Sequence, residues 1–309
     1  MHCLVLGGAG FIGSHVVSTL VNAGHKVRLL DLTPNPYWRP PPQVECLWAD
    51  WNDSAQVEHA LTGIEVVIHL VSVTLPANSN ERTVVDINGN LLPTLNLLQN
   101  CLKKGVNKVI FSSSGGTVYG IPHYLPIDED HPTLPTSSYG IIKLTIEKYL
   151  HLYYRLYGLK YVVLRGANPY GIWRDPATNQ GAINVFLEHL AHSQPIEIFG
   201  DGSIVRDYFY VKDLALAFQA AAESQLDYGV LNVGSGKGLS LLELLDKIHR
   251  ITGVRPVLLH KPARAFDVPK NVLNIERIRS LLGWQPQVSL SDGIRQTWDW
   301  INHRSTVLG

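Results

Sequence analysis

The chain has 309 residues, 45% of them hydrophobic, with 26 basic and 26 acidic side chains. At about 100–200 residues per domain, this length holds two lobes, or one large α/β domain with an appendage, and buries a core without disulfides. A formal charge of zero gives no field for a phosphate backbone or an anionic surface, so neither nucleic acid nor a membrane is an expected partner.

Short apolar runs alternate with longer amphipathic stretches through the first half. Strands are predicted at Cys3–Leu6, Lys26–Asp31, Val44–Trp48, Val66–Leu70, Lys108–Ser112 and Tyr161–Arg165. Several are apolar throughout, as in strands covered on both faces. Helical spacing occupies Phe11–Asn22, Ala55–Leu61, Thr83–Lys104 and Ser137–Tyr157. The alternation predicts a Rossmann-type, doubly wound parallel sheet of the α/β class, with ligands beyond the carboxyl ends of its strands. After Arg165 the elements shorten, with helical patterns at Ala182–Ala191, Leu214–Ala222, Leu241–Ile251, Ile275–Leu282 and Leu290–Asn302. The expected division is a dinucleotide-binding lobe over 1–165, joined by a returning segment near 205–235. A smaller, mostly C-terminal substrate-binding lobe is expected over 166–204 and 236–309.

Between the first strand and first helix lies Gly7-Gly8-Ala9-Gly10-Phe11-Ile12-Gly13. Gly7 permits a tight turn, Gly10 lets the backbone approach a pyrophosphate, and Gly13 lets helix and strand pack closely. An anion there would rest on the N–H groups at the helix start. Asp31 ends the second strand at about the twenty-residue distance expected of an acid that binds the ribose hydroxyls. It would repel a 2′-phosphate, and Leu32-Thr33 supplies no compensating arginine, so the expected cofactor is NAD rather than NADP. Asp50-Trp51, after the third strand, is placed to contact adenine or to form an ordinary turn.

Tyr139 and Lys143 lie four residues apart and share one helix face. That spacing suits an exposed pair on an amphipathic helix, and equally a tyrosine base whose pKa must fall from about 10. A lysine charge ~5 Å away contributes about 3 kcal/mol at an effective dielectric of ~20, roughly two pKa units. A positive nicotinamide ring could supply the rest. The strand at Lys108–Ser112 runs into Ser112-Ser113-Ser114-Gly115-Gly116-Thr117-Val118-Tyr119-Gly120, where a hydroxyl can shuttle a proton or bind a sugar.

Together these segments, with Val67-Ile68-His69-Leu70 and Tyr139-Gly140-Ile141-Ile142-Lys143, resemble the extended short-chain dehydrogenase/reductases. The most similar branch is the NAD-dependent nucleotide-sugar epimerases of the UDP-glucose 4-epimerase type. The resemblance continues through Asn168-Pro169-Tyr170-Gly171, Arg206-Asp207-Tyr208, Asn232-Val233-Gly234-Ser235-Gly236, Arg264…Asp267-Val268-Pro269 and Leu282-Gly283-Trp284. It implies cofactor contacts from Gly7, Gly10, Phe11, Ile12, Gly13, Asp31, Asp50, Trp51, Leu70, Asn90, Tyr139 and Lys143. It also implies a UDP-sugar held by Ser114, Asn168, Arg206, Arg264, Asp267 and Asn271, the two arginines being suited to a diphosphate. Asn271 resembles the position that limits room around C2 of the sugar, and Val71-Ser72 departs from the family's usual pair of alanines.

The implied reaction is reversible inversion at C4 of a UDP-hexose through a 4-keto sugar, with Tyr139 taking the hydroxyl proton. Gly115 stands where the family usually has a catalytic serine or threonine, leaving Ser114 and Thr117 as candidates to assist. A 4,6-dehydratase or UDP-glucuronate decarboxylase would need carboxylates near that turn, where this chain has none. UDP-glucuronate 4-epimerase stays open through Arg174, which could meet a C6 carboxylate or face solvent. A non-catalytic NAD-sensing regulator is the alternative outside enzymes. The resemblance also implies a homodimer formed by the helices Thr83–Lys104 and Ser137–Tyr157. Cys3, Cys46 and Cys101 form no close pair, and the thirteen histidines show no metal-binding spacing. With no bilayer-length apolar run and no basic leader, a cytoplasmic protein is expected.

Overall fold

Apolar residues on both faces of the early strands demand cover on both sides, and the computed structural model provides it. It describes residues 1–76, 78–178, 180–263 and 268–307. The first half runs β1 (His2–Leu6), α1 (Phe11–Asn22), β2 (Lys26–Asp31), β3 (Glu45–Trp48), α2 (Ser54–Ala60), β4 (Val66–His69) and α3 (Thr83–Asp86). It continues through a π-helical turn (Ile87–Leu91), α4 (Leu92–Lys104), β5 (Lys108–Ser114), α5 (Ser138–Tyr157) and β6 (Lys160–Gly166). The second half adds β7 (Asn168–Tyr170), α6 (Ala182–Ala191), β8 (Ile196–Phe199), β9 (Val205–Tyr210), α7 (Val211–Glu223) and β10 (Tyr228–Val233). Then follow β11 (Gly238–Ser240), α8 (Leu241–Thr252), β12 (Leu258–Lys261), β13 (Lys270–Asn271), α9 (Glu276–Leu282) and α10 (Leu290–Val307).

Seven strands form one parallel sheet in the order β3-β2-β1-β4-β5-β6-β10. Successive residues of β1 serve opposite faces. Leu4 and Leu6 pack with Leu97 of α4 and Ile142 and Ile146 of α5. Cys3 and Val5 pack with Val16 and Val17 of α1 and Leu214 and Phe218 of α7. The chain winds from β1 to β3 on one side and from β4 to β10 on the other. The crevice between the ends of β1 and β4 is therefore the ligand position of a doubly wound sheet.

The smaller lobe pairs β9 with β7, β11 and β13, and β8 with β12. Phe186 and Leu187 of α6, Leu244 and Ile248 of α8, and Ile294 of α10 close its core. Two pieces fall outside the expected boundaries. Strand β9, expected with the returning segment, belongs to the small sheet, whereas α7 packs on α1 and β10 joins the large sheet. Helix α9, expected in the small lobe, lies against β10, and Ile278 and Trp284 enter the large lobe's core. The buried Asp213 of α7 fixes this crossing. Its carboxylate accepts from the N–H groups of Gln287 and Val288, and its carbonyl accepts from Trp284 Nε1 at 2.9 Å.

The helix expected over Thr83–Lys104 is broken by the π-helical turn. Pro93 has no N–H to donate to the preceding turn, so the ladder widens just before it. Gly89 in that turn lets the loop after β4 approach, since a Cβ there would lie 2.5 Å from Val73 Cγ2.

Beneath the strand ends lies a buried ion pair. Arg165 Nη2 and Nε donate to Glu147 at 2.6 and 3.1 Å, and Ser113 Oγ donates to the same carboxylate at 2.5 Å. The Arg165 guanidinium also covers the Tyr119 ring at 4.8 Å, and Tyr119 donates to Asn232 Oδ1 on β10. Removing one member of such a pair strands a charge in the core. Glu147→Ala is expected to cost about 3–5 kcal/mol of stability, measured by equilibrium urea unfolding. A loss below 1 kcal/mol would mean that the pair does not hold α5 to β6.

Candidate active site

The glycine turn follows β1. Gly7 adopts φ +77°, a left-handed conformation suited to glycine. A Cβ on Gly13 would lie 2.0 Å from the Gly7 carbonyl oxygen, so α1 sits against the turn only because residue 13 has no side chain. Gly10 caps α1 without a side-chain hydrogen bond, leaving the helix-start N–H groups free of a capping side chain. Beside the turn, Asp31 accepts from the backbone N–H groups of Ala9 and Leu32 at 2.9 and 2.8 Å, and burial raises its pKa. A cradle that a methyl group would fill, an uncapped helix start and a half-buried carboxylate fit a dinucleotide. Leu70 and Val71 close its far side, with Val71 N 3.3 Å from where a Gly7 Cβ would stand.

Asp50 is exposed, but its partner Trp51 is 5% exposed and packs in the core against His69 at 5.2 Å. His69 itself approaches Thr94 Oγ1 at 3.0 Å, and burial with the Lys143 charge lowers its pKa to about 3. Asn90 is buried and reaches the loop after β4, where its Oδ1 accepts from Val73 N at 2.9 Å.

Tyr139 and Lys143 lie together in the first two turns of α5, with Lys143 Nζ 5.5 Å from the centre of the Tyr139 ring. Lys143 is buried and donates to the Ser112 carbonyl at the end of β5 at 2.8 Å. The exposed-pair reading of this spacing therefore fails. Burial lowers Lys143 to about 8, against the opposing pull of Asp86 and Glu147. Burial, and then Asp86, push Tyr139 up to about 12. In the protein alone the phenol thus holds its proton more firmly than free tyrosine does, opposite to the fall expected from lysine proximity.

The turn after β5 explains the glycine at 115. A Cβ there would lie 2.5 Å from Leu273 Cδ1 and 3.1 Å from the Arg165 carbonyl, so Leu273 occupies the space of a side chain. Of the two hydroxyl candidates, Ser114 is half-buried, and Thr117 Oγ1 is buried without a hydrogen-bond partner among the described residues. Thr117 also abuts α5, since a Cβ on Gly140 would lie 2.8 Å from its carbonyl oxygen.

From the smaller lobe, Asn271 comes to this turn. It is 1% exposed, donates from Nδ2 to the Gly115 carbonyl at 3.0 Å, and leaves Oδ1 buried without a partner among the described residues. Asn168 Nδ2 donates to the Asp207 carbonyl at 2.9 Å, and Arg206 Nη1 donates to the Val205 and Val268 carbonyls. Arg264 and Asp267 lie outside the described residues. Arg174 is half-buried, donates to the Gln180 and Pro169 carbonyls, and shows no carboxylate partner among the described residues. Its guanidinium covers the Phe11 ring at 3.9 Å at the head of α1, beside Ile12, and burial lowers its pKa to about 10.

Sequence reasoning missed the supports of α5. Asp86 is fully buried and accepts from Thr74 Oγ1 at 2.6 Å, Asn90 Nδ2 at 2.8 Å and Ser138 Oγ at 2.8 Å. Ser79 Oγ accepts from Tyr139 N, and Asn80 Oδ1 accepts from Ser138 N. One signal was available, since Asp86 precedes Asn90 by a helical turn.

A Rossmann sheet with a dinucleotide cradle, and a half-buried tyrosine beside a buried lysine on α5, defines an extended short-chain dehydrogenase/reductase. Residues 3–234 match the model of the NAD dependent epimerase/dehydratase family, and the chain belongs to that family. It is 35% identical to a UDP-glucose 4-epimerase of Mycolicibacterium smegmatis, over 99% of this chain and 100% of the relative. The solved UDP-glucose 4-epimerase of Thermotoga maritima with UDP-glucose superposes with a TM-score of 0.92 at 37% identity, covering 99% of this chain and 100% of that one. The Thermus thermophilus UDP-glucose 4-epimerase complex with NAD gives 0.90 at 36% identity, covering 97% and 99%.

Burial of Lys143 makes a stability prediction. Its pKa is lowered in the folded state, so the unfolded chain binds the extra proton between about 8 and the ordinary 10.5. Wild-type stability should therefore rise with pH across that window relative to Lys143→Met, measured by urea unfolding at several pH values. A constant difference would mean that the ammonium is not desolvated.

Proposed function

We infer that this chain is an NAD-dependent 4-epimerase of a UDP-hexose, with UDP-glucose/UDP-galactose as the first pair to test. The observation that carries the reading is the half-buried Tyr139 beside the buried Lys143, on a helix packed against the same sheet that holds the dinucleotide cradle. Gly7, Gly10, Gly13 and Asp31 would hold NAD, which when bound supplies a positive ring and a hydride acceptor that returns its hydride. Tyr139 takes the proton of the C4 hydroxyl and gives it back. Lys143, held on the Ser112 carbonyl, supplies positive charge beside the phenol. Thr117, whose hydroxyl is buried and without a hydrogen-bond partner among the described residues, is taken ahead of the more open Ser114 as the group that assists. Arg206, Arg264, Asn168 and Asp267 are assigned to the UDP half, and Asn271 to the wall near the sugar.

The decisive experiment compares wild type with Tyr139→Phe and Thr117→Val on UDP-glucose, UDP-N-acetylglucosamine and UDP-glucuronate. General-base catalysis is worth about 10²–10⁴ in rate. Tyr139→Phe is expected to lose turnover by that factor while still binding UDP-sugar in calorimetry. Thr117→Val should lose more than Ser114→Ala. A near-normal rate for Tyr139→Phe rejects its role as base, and inactivity of the wild type on all three sugars rejects the substrate class.

The chain is further proposed to work as a homodimer in the cytoplasm. Its three cysteines are free, and no described helix is long and apolar enough to cross a membrane. Val84 of α3, Leu92 of α4, and Ile141 and Leu156 of α5 are exposed apolar residues on the two helical segments expected to pair, at 67, 48, 51 and 61%. Sedimentation should give a dimer for the wild type and a monomer for Ile141→Glu/Leu156→Glu. A monomeric wild type rejects the proposal.

A further inference from the structure

Tyr139 sits where three segments meet, and one carboxylate touches all three. Asp86 Oδ1 accepts from Thr74 on the loop after β4, and its Oδ2 accepts from Ser138, the residue before Tyr139. Asn90, one turn beyond Asp86 in the π-helical turn, donates to Oδ1 and accepts from Val73 on that same loop. Thr74, Asp86 and Asn90 are buried, Asp86 at 0% exposure, and Ser138 is half-buried. A buried carboxylate with three donors converging on it is a rigid joint, because displacing any arm leaves a charge partly unpaired. The loop it holds borders the dinucleotide turn, and the helix it holds presents the phenol.

We propose that Asp86 is a positioning residue of the reaction, fixing the loop after β4 and the first turn of α5 in one geometry and setting a negative charge beside Tyr139 and Lys143. The proposal rests on the epimerase reading for the identity of the reaction, but not for the electrostatics. Among the described residues, the titratable groups facing the pair are Asp86 from α3, Glu147 from α5 and His69 from β4. His69 stays neutral in the working pH range, and Glu147 is matched by Arg165. Asp86 is the acid that opposes ionisation of the phenol, and it also supports protonation of the lysine.

The test is Asp86→Asn, which keeps size and removes charge. Tyr139 ionisation is read in the NAD-loaded protein as the tyrosinate absorbance difference between each background and its Tyr139→Phe partner. The variant is expected to form tyrosinate at lower pH than wild type. Its kcat should fall about tenfold or more, with the KM for UDP-sugar within about threefold. An unmoved ionisation overturns the proposal whatever kcat does, because packing damage alone could slow turnover. An unmoved kcat overturns it as well. Should Asp86→Asn fail to fold, Ser138→Ala removes one arm and keeps the charge. It is expected to lower kcat several-fold with KM and melting temperature retained, and unchanged kcat overturns the proposal. If wild type turns over no UDP-hexose, the epimerase reading fails, while the absorbance titration still decides the role of Asp86.

Discussion

Helix α5 turns Lys143 and Glu147, four residues apart, toward the sheet, with Tyr139 one turn before them, and burial of that face is the constraint on which the molecule depends. An ammonium and a carboxylate cannot enter a core unmatched. Lys143 is met by the Ser112 carbonyl, and Glu147 by Ser113 and Arg165, so consecutive residues of β5 and a residue of β6 are committed to supporting one helix. Because Arg165 also rests on Tyr119, and Tyr119 on Asn232, the support extends across β6 to the edge strand β10. The chemistry of the phenol is thus anchored through the middle of the sheet rather than at the surface.

Much of this was legible in the sequence because it is periodic. The strands at Lys26–Asp31 and helices at Phe11–Asn22 and Ala182–Ala191 have the predicted bounds, since apolar spacing and glycine breaks both mark them. The glycine turn and the four-residue Tyr139–Lys143 spacing were readable for the same reason. The long helix from Thr83 was misread because hydrophobic spacing survives a π-helical turn, and Pro93 near the start of α4 was the neglected sign. Trp51 stood next to a strand end and looked available to a ligand, but nothing local reveals that its ring turns into the core.

Asp86 illustrates the deeper limit. Its partners come from residues 74, 90 and 138, and only the fold brings them to one point. The same holds for the electrostatics of Tyr139. Spacing predicted a helpful lysine, but spacing cannot count the water removed around the phenol, and that desolvation, with the Asp86 charge, pushes its pKa up.

The clash that keeps residue 115 a glycine reaches beyond packing. Leu273 comes from the segment after β13, in the part of the chain that folds with the smaller lobe, yet its methyl group fills the space beside a turn of the larger one. A side chain at 115 would be accommodated only with a smaller residue at 273. The two lobes are thus keyed together at one point, where a leucine of one fits only because the other carries no side chain.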